Sequence, residues 1–354
     1  MKIAVYKDTF AARRGADVAV QFLVDGLRAR GHDVVAVTDE DPDVRGRISG
    51  CDVCIAAGTN EMLALTDGGR NRLPVKTILQ FHTHPLYPFR HWLRRWRRCR
   101  AIRRAIALAD AVQVLLPSHE GVLRRKVGYA GKVYVIGNAS RFGTCAASSD
   151  DGQTIIYPAA LNDDKRQALL IDSFARVAGD FPGWRVVLYG TGKASYEAKL
   201  RARVAAAGLG DRVAFAGYCD DLTTAYSSCS FVAFPSANEG FPLTVVDAAA
   251  FRKPVIGLAE TPAVAEIIAD GETGMLCGST VAAYADGLAR LMRDAEVRRR
   301  LGDAARRQFA SAYSREAFLG RWEAALRDVC GDDGLLEFTH FLKAKWDFTQ
   351  CLRG

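Results

Sequence analysis

Short unbroken apolar runs recur along the chain, separated by longer stretches in which apolar positions return every three or four residues. In the first half the runs fall at 2–6, 33–37, 51–57, 75–81, 111–116 and 132–136, and in the second at 154–158, 185–189, 212–216, 230–235 and 254–258. Runs of this kind mark strands buried on both faces, and the amphipathic stretches between them mark helices. Their regular alternation predicts parallel sheets covered by helices on both sides. Two such sets predict an α/β chain of two Rossmann-like doubly wound domains. Residues 139–154, ASRFGTCAASSDDGQT, are small, polar and aperiodic, which places the linker there. The expected division is 1–140, 141–314 and a terminal helical segment 315–354.

Composition adds bounds to this picture. A chain of 354 residues with 49% hydrophobic content can bury two ordinary cores. No apolar run reaches membrane-spanning length, and the N-terminus, MKIAVYKDTF, enters a strand at Ile3 without the pattern of a secretory signal, so a cytoplasmic protein is expected. The nine cysteines are scattered without framework spacing, which suits reduced thiols. Cys51-x-x-Cys54 has no second cysteine pair near it and runs into a strand, so buried thiols are expected rather than a zinc or redox site.

The net charge of +8 has one source. Residues 90–104, RHWLRRWRRCRAIRR, hold eight arginines and no acid, as many as the whole excess of 48 Lys+Arg over 40 Asp+Glu. Phe89, Trp92 or Leu93, Trp96, Cys99, Ile102 and Ile106 recur at helical spacing, predicting an amphipathic helix whose apolar stripe packs on the first sheet. A solvated helix normally mixes charge signs to gain pairs four residues apart. This one accumulates repulsion, so Arg94, Arg95, Trp96, Arg97 and Arg98 are expected to face an anionic partner, a membrane surface first, or an acceptor. Nucleic acid is not expected, since no zinc, helix-turn-helix or RNP signature accompanies the patch.

The stretch 230–258, SFVAFPSANEGFPLTVVDAAAFRKPVIGL, holds the densest chemistry: an apolar strand, a polar turn, an Ala-rich helix and a second strand. A strand running through glycine into a helix N-terminus is an anion seat, because unpaired backbone N–H groups and the helix dipole point at the turn. Glu239 stands just before that seat and Asp247 eight residues on, so phosphate and hydroxyl ligands are both catered for. Pro235, Ser236, Glu239, Gly240, Phe241, Leu243, Ala248, Ala250, Pro254, Val255 and Ile256 follow P-S-x-x-E-G-F-G-L-x-x-x-E-A-x-A-x-G-x-P-V-I. That is the motif of the retaining glycosyltransferases of family 4, which this chain resembles.

The resemblance implies the GT-B fold, two Rossmann-like domains facing each other across a cleft, with the terminal helices crossing back onto the first. It implies that Glu239 holds hydroxyls of the transferred sugar, that the turn amides of Gly240 and Phe241 with Leu243 and Thr244 line the distal phosphate, and that Asp247 takes the ribose diol. Among the positions that depart from the motif, the second acid is Asp rather than Glu, and Pro242 replaces a glycine and lacks an N–H. VIGNAS at 135–140 is similar to the family's domain junction, and ALNDDKRQALLIDSFARV to its G-R-L-x-x-x-K-G segment, which makes Lys165 a diphosphate contact and places Ala160 where the family has arginine. Gly190 and Gly192 match its G-x-G loop. Read as a dinucleotide fingerprint, the same loop is incomplete, with Ser195 at the third glycine position.

In the first domain KDTFAARRGADV replaces the family's glycine-rich loop, with Gly15 retained. His84, and after it His82, follow the fourth strand where such sheets bind ligands, and the resemblance implies a histidine there beside the scissile bond. No Cys or acid adjoins the pair to make a zinc site, and Asp39-Glu40-Asp41, literally D-x-D, sits in a polar turn, so no metal and no cofactor are expected beyond the nucleotide-sugar donor itself. The implied function is transfer of a sugar to a glycan or lipid-linked acceptor, metal-independent and at the inner face of the cell membrane. The alternatives are a non-catalytic GT-B module binding a glycan or partner, and a sugar-phosphate synthase of the same fold.

Overall fold

The computed structural model of the chain describes residues 1–10, 15–86, 92–143 and 152–331. They form two compact units, one of Met1–Ile136 with the segment from Phe318 on, the other of Gly137–Ala317. The first holds β1 (Lys2–Tyr6), β2 (Asp33–Val37), β3 (Val53–Ala56), β4 (Lys76–Gln80), β5 (Ala111–Val114) and β6 (Lys132–Val135) in one sheet of order β2-β1-β3-β4-β5-β6. The second holds β7 (Thr154–Pro158), β8 (Arg185–Tyr189), β9 (Val213–Gly217), β10 (Phe231–Phe234), β11 (Val255–Leu258) and β12 (Met275–Cys277) in the order β12-β11-β10-β7-β8-β9. Every pairing is parallel.

Burial explains why the apolar runs are legible. β3, β5, β10 and β11 are buried at every position, whereas the edge strands β6 and β9 expose part of theirs. β12 was not expected; three residues are too few for a hydrophobic pattern to register. Cys54 lies in β3 and Cys51 in the turn before it, its Sγ 3.4 Å from the carbonyl of Arg47, and both are buried free thiols. Each sheet has one place where the chain reverses its direction of growth, between β1 and β3 in the first and between β7 and β10 in the second. In open α/β sheets ligands bind at the carboxyl ends of the strands at such reversals.

The chain joins the second unit at Gly137, ahead of the expected linker. Phe142 packs on Phe251 and Tyr226 with ring centroids 5.1 and 5.7 Å away, and the Ser140 N–H donates to the Tyr313 carbonyl at 3.3 Å. The rest of that linker, 144–151, lies outside the described residues. From Phe318 on, the Arg315–Cys330 helix belongs to the first unit: Phe318 meets Phe22 at 5.8 Å, Glu323 pairs with Arg30 and His32, and Asp328 accepts from Lys132 and Tyr134.

The arginine-rich helix spans Trp92–Ile106, with Ile102, Ala105 and Ile106 buried. Trp96 departs from the expected apolar stripe and is 53% exposed. At about 100° per residue it stands about 120° around the helix from Ile102, while Arg98 stands only about 40° away. Arg98 is accordingly half-buried, and burial lowers its pKa against the opposing pull of Glu61. Arg103 and Arg104 donate to the carbonyls of Val127 and Gly68. Arg97 and Arg100 remain exposed, while the side chains of Arg94 and Arg95 lie outside the described residues. Among the described residues no helix is long and apolar enough to cross a membrane.

Candidate functional site

In the second unit the reversal between β7 and β10 is flanked by the two loops that carry the chemistry. After β7, Asn162 caps a tight turn by accepting the Lys165 N–H at 3.1 Å, and the Tyr157 hydroxyl donates to the Lys165 carbonyl at 2.7 Å. After β10, the Ala237 N–H donates to the Asp164 carbonyl at 2.8 Å and the Asn238 amide to the Asp164 carboxylate at 3.1 Å. The Ser236 carbonyl is fixed in turn by the Thr261 hydroxyl at 2.6 Å. One backbone bond and one side-chain bond thus stitch the two loops together, and Lys165 Nζ stands 2.5 Å from Glu239 Oε1 with the side chains 23% and 10% exposed.

This pair joins the two residues expected at opposite ends of the chemistry. An ammonium serves phosphate as a point charge, and a carboxylate accepts from sugar hydroxyls. Because the two charges neutralise each other, any anion bound by Lys165 would have to compete with Glu239. The second cation is absent, as Ala160 implies: its carbonyl accepts from the Gln167 amide at 2.9 Å. Arg166 takes a left-handed backbone, φ 50°, and acts on Glu260, whose pKa is lowered chiefly by the Ser279 N–H.

The turn into the Leu243–Ala250 helix offers fewer amides than a helix start can. Pro242 has none, and those of Leu243 and Val245 fold back at 3.0 Å onto the Phe241 and Pro242 carbonyls. Phe241 is buried against Tyr313, and the Thr244 hydroxyl donates to the Pro158 carbonyl at 3.1 Å. Gly190 and Gly192 do provide a close backbone approach, but the partner is the chain itself: Ala159 and Leu161 donate to the Tyr189 and Thr191 carbonyls at 2.9 Å, and a Cβ on either glycine would strike the 159–161 backbone. The loop is therefore part of the frame that fixes Lys165.

Asp247 is the residue whose setting differs most from expectation. It is 9% exposed, and the Ser140 hydroxyl, which itself accepts the Phe142 N–H, donates to its carboxylate at 2.5 Å. Burial pushes its pKa up to about 6, against the Ser140 hydrogen bond and the Arg141 charge, which act to lower it. Ser140 lay inside the quoted VIGNAS segment, yet sequence spacing gives no sign that it reaches Asp247.

In the first unit His84 Nδ1 accepts the Leu86 N–H at 3.1 Å, which leaves Nε2 to carry the proton of a neutral ring. Its ring makes a T-shaped contact with that of His119, centroids 5.0 Å apart. His119, on the Pro117–Val122 helix, was missed by sequence reading; burial pulls its pKa down to about 3. His82 has both ring nitrogens buried without a hydrogen-bond partner. Gly15 opens the Gly15–Ala29 helix. The D-x-D acids are engaged internally, Asp39 by the Tyr6 hydroxyl and Asp41 by Arg47 and the Thr38 N–H, and no three potential metal ligands gather among the described residues.

Residues 146–308 match the family of glycosyl transferases, group 1. The second unit is a group 1 glycosyltransferase domain. An exopolysaccharide phosphotransferase of Streptomyces coelicolor is 31% identical over 62% of this chain and 23% of its own length. The lipopolysaccharide core biosynthesis mannosyltransferase LpcC of Rhizobium leguminosarum is 40% identical over 29% of this chain and 29% of its own. The chain spans half or less of the curated relatives it matches. Anabaena HepE in complex with UDP superimposes with a TM-score of 0.78 at 17% identity, covering 93% of this chain and 100% of that one. Sucrose-phosphate synthase from Thermosynechococcus elongatus gives 0.76 at 20% identity, covering 94% and 100%. These likenesses identify the fold as GT-B, with the group 1 domain as its second Rossmann-like half.

Proposed function

We propose that the chain is a retaining, metal-independent glycosyltransferase of family 4. It moves a sugar from a nucleotide diphosphate donor to a hydroxyl of a glycan or lipid-linked acceptor in cell-surface polysaccharide or lipopolysaccharide assembly. The observation that carries this reading is the Lys165–Glu239 pair at the β7/β10 reversal of a group 1 domain. In the proposed step the bond from the anomeric carbon to the diphosphate oxygen breaks while the acceptor oxygen bonds to the same face of that carbon. The acceptor's proton passes to the departing phosphate oxygen. Lys165 and the Gly240 and Phe241 amides meet the negative charge that develops there, Glu239 holds the sugar, and His84 offers it the Nε2 proton. The name of the Rhizobium relative, a mannosyltransferase, supports a hexose as the group transferred.

Thermal-shift measurements against UDP, GDP, ADP and their sugars test this directly. A nucleoside diphosphate at 100 times its dissociation constant adds about 2.7 kcal/mol of stability. Lys165→Met, compared with its own unliganded baseline, is expected to lose most of that gain, since a charge-assisted hydrogen bond contributes about 1.5 to 3 kcal/mol. If no nucleoside diphosphate stabilises the wild type, the donor site is refuted and a non-catalytic module takes its place.

The arginine helix supports association with anionic membranes at the cytoplasmic face. Cosedimentation with phosphatidylglycerol vesicles is expected at low salt and should fall steeply as the Debye length shrinks from about 10 Å at 0.1 M toward 3 Å at 1 M. Reversing Arg94, Arg95, Arg97 and Arg100 to Glu should release the protein while nucleotide binding persists. Arg98 is left in place because it points inward. Wild-type protein that ignores such vesicles at low salt removes the membrane assignment.

A further inference from the structure

Among the described residues three other than glycine take a left-handed backbone: Asp67 at φ 51°, Arg166 at φ 50° and Arg252 at φ 58°. That conformation crowds Cβ against the following carbonyl, so it persists only where surrounding contacts hold it. Two of the three have such contacts through their side chains. The Asp67 carboxylate accepts from Arg45 at 2.6 Å and from the Asn71 amide at 2.7 Å, and Arg252 Nε donates to Asp303 at 2.7 Å. Arg166 is held by its backbone alone, its N–H donating to the Asp163 carbonyl at 3.2 Å and its carbonyl accepting from the Leu169 N–H at 3.0 Å. Its guanidinium makes no hydrogen bond and no ion pair with the described residues.

Arg166 follows Lys165 at the end of the Asp163–Lys165 turn and caps the Gln167–Val177 helix, and its side chain is half-buried. A guanidinium has five donors and no acceptor, and a charge drawn this far out of water is normally paired. The acid on which its charge bears is Glu260, two residues past β11, and Glu260 is already held by the Ser279 N–H at 3.0 Å. In the sheet β10 lies between β7, which leads to Arg166, and β11, which leads to Glu260. The Arg166 charge therefore acts across the carboxyl end of β10, where the chain turns through Gly240 and Phe241.

The charge balance there gives Arg166 its significance. Lys165 is neutralised by Glu239 at 2.5 Å, and position 160 carries an alanine. The net positive charge of the group is thus that of Arg166. A guanidinium fork matches the oxygens of a phosphate with parallel N–H···O bonds, which a neutral ligand cannot reproduce. We propose that Arg166 is a second cation of the diphosphate site, binding phosphate oxygens through its guanidinium and held in a strained backbone for that contact. Unlike Lys165 it has no carboxylate to release first. The nucleoside part of the ligand rests on the proposed donor reading, whereas the anion site at Arg166 rests on the geometry alone.

Calorimetry with UDP, GDP, ADP and inorganic pyrophosphate on the wild type, Arg166→Asn and Arg166→Gly tests the assignment. Asparagine and glycine both accept a left-handed backbone, so the turn that carries Lys165 keeps its shape, and each unliganded variant should melt at or above the wild-type temperature. Both variants are expected to bind the nucleoside diphosphate that the wild type prefers at least about tenfold more weakly, the loss of one charge-assisted contact, with pyrophosphate weakened alike. A smaller loss in either variant overturns the inference and leaves the donor site in place. A variant that melts well below the wild type would give Arg166 a structural contact and likewise overturn it. If pyrophosphate but no nucleoside diphosphate binds the wild type, and both variants lose it, the Arg166 site stands and the transferase reading falls. If neither binds the wild type, both fall.

Discussion

Glu239→Gln is expected to abolish sugar transfer while nucleoside diphosphate binds as tightly as before or more tightly. The carboxylate has two partners to lose. Toward the proposed substrate it would accept charge-assisted hydrogen bonds from the transferred sugar, each contributing about 1.5 to 3 kcal/mol, so turnover should fall at least tenfold. Toward the protein it neutralises Lys165 at 2.5 Å. The isosteric amide keeps the loop geometry, which the hydrogen bonds that Asp164 accepts from the Ala237 N–H and the Asn238 side-chain amide secure independently, but it would release the ammonium to a diphosphate. Initial rates with saturating donor, beside calorimetric binding of the same nucleoside diphosphate, separate the effects. Wild-type turnover in the variant would remove Glu239 from the chemistry. Loss of nucleotide binding along with turnover would make it part of the phosphate pocket's frame.

Much of the architecture was legible in the chain because its central strands are buried on both faces and advertise themselves as unbroken apolar runs. β12 was invisible for want of length. The arginine helix shows a subtler failure. Its stripe was drawn through Trp96 because tryptophan is apolar, whereas helical geometry aligns Ile102 with Arg98, and the structure follows the geometry.

The candidate site divides along similar lines. Lys165 and Glu239 were singled out by local motifs, and the strand order brings them to one reversal. What the motifs did not carry is who else touches them. Gly190 and Gly192 are spent on packing two loops of their own unit, and the amides of Leu243 and Val245 turn inward. Partners distant in sequence, such as Ser140 for Asp247, leave no periodic trace and emerge only from the fold.

Ala160 and Pro242 each lack a group that the resembled family offers to a nucleotide, whereas Asp247 keeps a carboxylate, and it makes the sharpest quantitative case. Asp247→Asn should stabilise the protein above pH 6 and weaken nucleoside diphosphate binding at the same pH. The folded carboxyl has its pKa raised from 3.8 to about 6 by burial. Below pH 3.8 it is protonated in both the folded and the unfolded chain and has no effect on the balance. Between the two values the unfolded chain ionises while the folded one resists, so stability falls as pH rises, and above about 6 the full penalty is in place, at most about 3 kcal/mol. Asparagine removes that penalty and keeps an oxygen for the Ser140 hydroxyl. Melting temperature measured from pH 4 to 8 should therefore show the variant several degrees above wild type at pH 7 to 8, with the gap closing toward pH 4. Affinity should move the other way, by about 1.5 kcal/mol or more at pH 7, because the charged acceptor for the ribose diol is gone. Wild-type affinity should itself weaken as pH drops below about 6, and the variant's should not. A variant that gains stability without losing affinity would make Asp247 a buried helix residue with no hold on the ribose. One that gains no stability would mean that the carboxylate is solvated well enough to ionise freely inside the fold.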